Sequence, residues 1–338
     1  MSRDTNDNPQ NLFFQLTPDF VMDAVESAGW LTTGEYLQLN SYENRVFSIK
    51  TEIDVAGASA VGAAVPQIIV KFYRPGRWSE AAIREEHSFL EELSSQGVAV
   101  VPPLKQKSGD TLSVQHGLWF AAFPKFRGRM PQELGFEELT RIGRVLARLH
   151  NVGALAKPKH RAIIDSEHFG RPALELISGM MNHEIWNRYE EAAEGILEYL
   201  ESEMDPRTFQ RIHGDAHRGN ILMTDEAGKP PEFFLVDFDD FALGPPVQDF
   251  WMLFRHDEDD FGDELDAFLE GYTELRDFDE SQLRLIEPLR GLRIIHYAAW
   301  IARRWQDPSF PKIFPNFGSD AYWFEEMQAL ERVLQKLN

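Results

Sequence analysis

The chain has 338 residues, 43% of them hydrophobic, and 34 Lys and Arg against 55 Asp and Glu give it a formal charge of −21. That size and apolar content suffice for two lobes with cores of their own, whereas the charge repels phosphate backbones and anionic lipid, so neither nucleic acid nor membrane is expected as a partner. With no cysteine, disulfides, thiolate zinc sites and thiol catalysis are excluded.

The opening MSRDTNDNPQN is polar and lacks a basic-then-apolar export pattern, and no apolar run approaches the ~20 residues that span a bilayer, so a cytoplasmic location is expected; a monomer is expected too, although no sequence feature fixes the oligomeric state. Residues 1–11 carry little to bury and are expected to be disordered. Thr17-Pro18-Asp19 reads as the start of a helix that runs to about Ala28, before Gly29. Tyr36–Asn40 and Arg45–Ile49 read as strands joined by the turn Ser41–Asn44, and Pro66–Tyr73 as a third, with the small-residue stretch 55–65 as a hairpin loop. A helix over Trp78–Gln96 follows, then strands over Val98–Lys107 and Leu118–Phe123. These elements make a β-rich N-lobe, 12–123, with one main helix. Residues 124–131 are dense in breakers and charge and form the expected hinge. The C-lobe, 132–338, is mostly helical, with helices over Phe136–Val152, Trp186–Met204, Leu265–Leu275, Leu283–Trp305 and Tyr322–Leu337. Its strand-like stretch is Glu232–Asp237, which can pair with Asn220–Met223 across the turn at 225–230. The fold class is α+β.

The chemistry concentrates in His213-Gly-Asp-Ala-His-Arg-Gly-Asn220. Asp215, Asn220 and Asp237 place three oxygen-bearing side chains near one hairpin, and hard oxygen donors suit Mg²⁺, which completes its shell with water and substrate phosphates. Asp215 is then left to accept the proton of an attacking hydroxyl, in the pattern of phosphoryl transfer. Taken alone, an Asp and an Asn five residues apart read as a turn cap. His213 reads as a scaffold residue, and zinc on His213 and His217 is disfavoured because Gly214 and Gly219 argue for a loop and no further ligand is evident.

Lys71 sits in the middle of an apolar strand, where an unpaired ammonium is costly. Glu86 falls at helical spacing from Ile83, Leu90 and Leu93 and so faces the sheet, with Glu85 as the neighbouring choice. Lys71 alone reads as an edge-strand charge; in series with Asp215, Asn220 and Asp237 it reads as a phosphate contact.

With these residues in this order, the sequence resembles the protein-kinase-like superfamily, in its aminoglycoside phosphotransferase and choline kinase branch. The segments Leu39–Arg45, Val70–Trp78, His213–Asn220 and Pro308–Lys312 extend the resemblance to a group of bacterial stress-response Ser/Thr protein kinases, over about residues 14–335. The resemblance implies a two-lobed kinase fold, ATP and Mg²⁺ as cofactors, and phosphoryl transfer to Ser or Thr hydroxyls of protein substrates, its own included. It also implies that Asp215 accepts the proton, Asn220 and Asp237 ligate Mg²⁺, Lys71 binds phosphate, Glu86 pairs with Lys71, and Ser41 contacts ATP. Asp249 is implied to open a C-lobe helix and to accept hydrogen bonds from the 213–217 loop; the plain alternative is an N-cap. The sequence departs from kinases in having no glycine in the 40–44 hairpin and Asp239 after Asp237-Phe238. The loop reads equally well for a small-molecule kinase, whose cationic acceptor the acidic run Asp257–Asp260 could attract; a non-catalytic nucleotide-binding module and a metal-dependent phosphohydrolase are further alternatives.

Overall fold

The computed structural model describes residues 9–14, 16–52, 66–224, 230–254 and 262–337. The chain divides into two compact units, residues 1–133 with 218–239 and residues 134–217 with 240–338. The expected loops at 55–65 and 225–229, and most of the expected disordered start, lie outside the described residues.

In the first unit, α1 (Pro9–Phe14) precedes α2 (Pro18–Ser27), which Thr17 caps by accepting the Phe20 amide while Pro18 occupies a position that needs no N–H. The strands β1 (Thr32–Leu39), β2 (Arg45–Thr51) and β3 (Gln67–Phe72) lead to α3 (Glu80–Ser95), followed by β4 (Ser113–Gln115) and β5 (Leu118–Pro124). They pair antiparallel in the order β1-β2-β3-β5-β4. Period-two alternation sorts β3: Ile68, Val70 and Phe72 enter the main core with Phe47, Phe120 and the α2 residues Val21 and Val25, and Lys71 takes the opposite face, paired in register with Ala121.

The strand expected over Val98–Lys107 does not form. Pro102 and Pro103 lack ladder donors, and the segment pairs piecemeal: Val100 bridges Leu235, and the Leu104 amide donates to Ala122 at 2.7 Å. The hairpin partner of β5 is β4, across His116 and Gly117, whose φ values of 47° and 81° are those a tight two-residue hairpin turn demands.

The second unit begins with α4 (Phe136–Gly153), α5 (Arg171–Ile177), α6 (His183–Glu203) and β6 (Gln210–Ile212). α6 starts ahead of the expected Trp186 because Asn182 caps it, accepting from the Ile185 amide at 3.0 Å. The chain then returns to the first unit for the antiparallel pair β7 (Ile221–Met223) and β8 (Phe233–Leu235). It re-enters the second unit as β9 (Ala242–Gly244), antiparallel to β6, and continues through α7 (Gly262–Thr273), α8 (Ile286–Arg303), α9 (Phe310–Ile313) and α10 (Asp320–Leu337). α4 and α7 approach closely enough that a Cβ on Gly271 would collide with the Thr140 carbonyl oxygen. Phe250–Phe254, where a helix opened by Asp249 is expected, forms only the short 3₁₀ turn Trp251–Leu253, after another at Pro246–Asp249. With consecutive bulky Phe250, Trp251, Met252, Leu253 and Phe254 all buried, no solvent face remains for an amphipathic helix. Among the described residues no helix is long and apolar enough to cross a membrane.

Candidate active site

The first unit gathers charge around one ammonium. Lys71 Nζ lies 3.0 Å from Glu86 Oε1, 3.3 Å from Asp239 Oδ1 and 3.6 Å from Asp237 Oδ1, and it sits over the Tyr73 ring at 4.7 Å. Glu86 is completely buried and projects from the sheet-facing side of α3; Glu85 is only partly buried. Burial opposes the Lys71 charge, but Asp239, Glu86 and Asp237 outweigh it and hold the lysine protonated far above its ordinary range. Asp239, which the sequence reading treated only as a departure from kinases, is itself buried and also pairs with Arg77.

Asp237 is different: it is 52% exposed and stands at φ 60°, where the chain leaves β8. A non-glycine residue held in that region is uncommon, and here it turns the carboxylate out of the strand. Asn220 immediately precedes β7, and its carbonyl accepts the Val236 amide at 3.0 Å, so the hairpin brings Asn220 alongside the residue before Asp237. The half-exposed Asp237 carboxylate and the Asn220 amide are hard-oxygen donors of the kind a divalent cation takes, and among the described residues no group of 3 or more His, Asp or Glu side chains is gathered to hold one without further ligands.

Ser41 occupies the β1–β2 turn, partly buried, and makes no side-chain hydrogen bond among the described residues, so it is not drawn into the Lys71 cluster. The turn is nonetheless fixed without glycine. Arg74 donates to the carbonyls of Glu43 at 2.9 Å and Tyr42 at 3.1 Å, and its own amide donates to Asn44 Oδ1 at 3.1 Å.

In the second unit the 213–217 loop is held from below. Asp249, fully buried, accepts the amides of His213 at 2.7 Å and Gly214 at 2.8 Å, and His150 Nε2 donates to it at 3.0 Å. Burial keeps His150 neutral despite Asp249, so its Nδ1 accepts from the Tyr272 hydroxyl at 2.9 Å. The loop contacts implied for Asp249 are therefore present, and the plain N-cap reading is set aside. Gly214 has φ 83°, and any Cβ there would strike the Asp240 carbonyl oxygen. His213 is scaffold, its Nδ1 accepting the Asp215 amide at 3.3 Å.

Asp215 meets Arg293 Nη1 at 2.8 Å, from α8, and His217 Nε2 at 3.5 Å. Burial raises the Asp215 carboxyl, but Arg293, His217 and His213 together hold it below its usual value, so it is ionised at neutral pH. Sequence reasoning missed Arg293 and His150. His150 lies on the buried face of α4, where its spacing reads as core, and Arg293 is too far along the chain for any local pattern to link it to Asp215. The acidic run Asp257–Asp260 lies outside the described residues.

The first unit thus carries a lysine-carboxylate cluster on an antiparallel sheet, and the second a clamped Asp loop among helices. Residues 38–286 match the model of the phosphotransferase enzyme family, and the chain belongs to that family. Stress response kinase A of Escherichia coli K12 is 35% identical over 320 residues, covering 93% of this chain and 91% of that one. The serine/threonine protein kinase RdoA of Salmonella typhimurium LT2 is 36% identical over 324 residues, covering 94% and 92%. Among solved structures, a microcompartment-associated aminopropanol kinase is similar at a TM-score of 0.72 and 17% identity, over 95% of this chain and 98% of that one. An amicoumacin kinase in complex with AMP-PNP and Ca²⁺ gives 0.70 and 16%, over 94% and 97%. The expected two-lobed, protein-kinase-like α+β fold is the fold observed.

Proposed function

We propose that the protein is an ATP- and Mg²⁺-dependent kinase that phosphorylates Ser or Thr hydroxyls of proteins, its own included, in a stress response. The observation that carries the kinase reading is the buried Lys71–Glu86 pair at 3.0 Å with Asp237 on the same ammonium. A compact ammonium held charged by buried carboxylates is preset for phosphate oxygens. Lys71 binds the nucleotide phosphates, Glu86 fixes it, and Ser41 contacts ATP from the β1–β2 turn. Asp237 and Asn220 hold the metal ion, which when bound neutralises phosphate charge. Asp215 accepts the acceptor's proton, and Asp249, through the His213 and Gly214 amides, keeps that carboxylate in place.

The protein acceptor is supported by the two relatives at 35% and 36% identity, named a stress response kinase and a serine/threonine protein kinase. The aminopropanol and amicoumacin kinases, at 17% and 16%, favour the alternative of a small-molecule acceptor. Incubating the protein with labelled ATP and Mg²⁺, with a generic protein acceptor in one arm and aminopropanol or choline in the other, tests the choice. Label on Ser or Thr residues supports the protein-kinase reading, and label on the amino alcohol alone refutes it.

A further inference from the structure

Beside Asp215 the second unit presents positive charge, in a chain whose net charge is −21. Arg293 opens a stripe along α8: Tyr297, Trp300 and Arg304 follow it at intervals of four, three and four residues, which is one helix face, and His296 and Arg303 flank that face. Arg293 is 37% exposed while touching Asp215, and Tyr297 is 42% exposed. Tyr297 and Trp300 stack at 5.4 Å with 16° between their planes, and Arg304 lies over Trp300 at 5.4 Å.

The local field is cationic. Burial and then Arg303 push His296 down to about 3 against the Phe169 carbonyl, and Arg304 and Arg293, the latter paired with Asp215, add to the lowering. Arg303 reaches solvent, its charged form is disfavoured by partial desolvation and by Arg304, and among the described residues no carboxylate pairs with it. A surface of this sign repels amines and attracts carboxylates.

We propose that this α8 stripe is the docking surface for the acceptor and that it selects Ser or Thr hydroxyls lying in acidic segments. The proposal rests on the reading of Asp215 as proton acceptor. Ten residues of helix separate Arg293 from Arg303, about 15 Å, a span that an extended peptide covers in about four or five residues. Acceptor carboxylates therefore act within about five residues of the hydroxyl, while the stacked aromatics give the peptide backbone an apolar bed.

The test uses three peptides of equal length, each with one Ser, flanked on both sides to five residues by acidic, neutral or basic side chains. Their kcat/KM values are measured with the full chain, Mg²⁺ and ATP, alongside aminopropanol as acceptor. The acidic peptide should exceed the basic one by about tenfold or more, the scale on which electrostatic complementarity sorts partners. In the Arg303→Glu, Arg304→Glu double variant the order should reverse, and the gain on the basic peptide shows that the variant is folded. Equal use of the three peptides, preference for the basic one, or an unchanged order in a variant that still labels the neutral peptide overturns the docking proposal while leaving the protein-kinase reading intact. Labelling of aminopropanol with no peptide labelled overturns both.

Discussion

Asp249 grips Gly214: its Oδ1 accepts the glycine amide at 2.8 Å, one residue before the candidate proton acceptor Asp215. The same carboxylate takes the His213 amide and the His150 imidazole, so three donors converge on one buried anion. Asp249→Asn keeps the shape but turns an acceptor into a donor facing backbone N–H groups, leaving buried donors unmatched at a cost of about 2–3 kcal/mol. The expected outcome is a melting temperature lower by roughly 5–10 °C, together with turnover per folded molecule reduced at least about tenfold because the loop loses its geometry. Thermal melting paired with activity of the folded fraction checks both; a lower melting point with unchanged turnover would make Asp249 merely structural.

Asp237→Ala removes the half-exposed carboxylate from the metal set, and neutral Asn220 cannot replace it. Nucleotide affinity in Mg²⁺ should fall toward the metal-free value. Titrating ATP with and without Mg²⁺ reads the effect directly; a metal dependence equal to wild type would place the cation elsewhere.

Lys71 and Glu86 are expected to be strongly non-additive. Each single Ala substitution takes from a buried charge its nearest partner, at a cost on the order of 3 kcal/mol, and the double variant costs far less than the sum. Lys71→Ala should be the worse single, since it leaves Glu86, Asp237 and Asp239 facing one another, whereas Glu86→Ala leaves the ammonium two carboxylates. Denaturant unfolding of the four proteins supplies the cycle, and additive costs would mean that the pair is not coupled.

These partners also mark the limit of what the sequence conveys. Helical spacing put Glu86 on the buried face of α3, and strand alternation placed Lys71 opposite it, because both are local periodic signals. The hairpin joining Asn220 to the Asp237 region was legible for the same reason. Asp239 joining Lys71 and Arg77, and Arg293 joining Asp215, were not, since pattern records which face a residue takes and not which distant residue meets it there. Val98–Lys107 shows the opposite error: an apolar run suggested a strand, and two prolines removed the donors that a strand needs.

His87 gives a pH prediction. It is buried between the Tyr73 hydroxyl at 2.9 Å and Thr111 at 2.8 Å, and burial, then Lys71 and Arg84, lowers it from 6.5 to about 3. Because the folded value lies below the unfolded one, the unfolded chain takes up the proton first. The stability contributed by His87 is full above about pH 6.5 and is lost as pH falls toward 3, at about 1.4 kcal/mol per pH unit. Glu326, pushed up to about 7 by burial and Glu325, works in the opposite sense, losing its contribution as pH rises through 7. Unfolding free energies at pH 7 and pH 5.5 should fall more steeply for wild type than for His87→Gln; parallel slopes would show that His87 titrates normally.

The most direct test of the account is phosphoryl transfer by Asp215→Asn, with ATP binding measured on the same preparation. The carboxylate is held ionised by Arg293 at 2.8 Å, and the substitution removes the proton acceptor while preserving its shape. Mg²⁺-dependent ATP affinity should stay close to wild type while transfer to Ser or Thr hydroxyls slows by roughly 10²-fold or more. Transfer at the wild-type rate by a variant that binds ATP normally would contradict this and remove Asp215 from the mechanism.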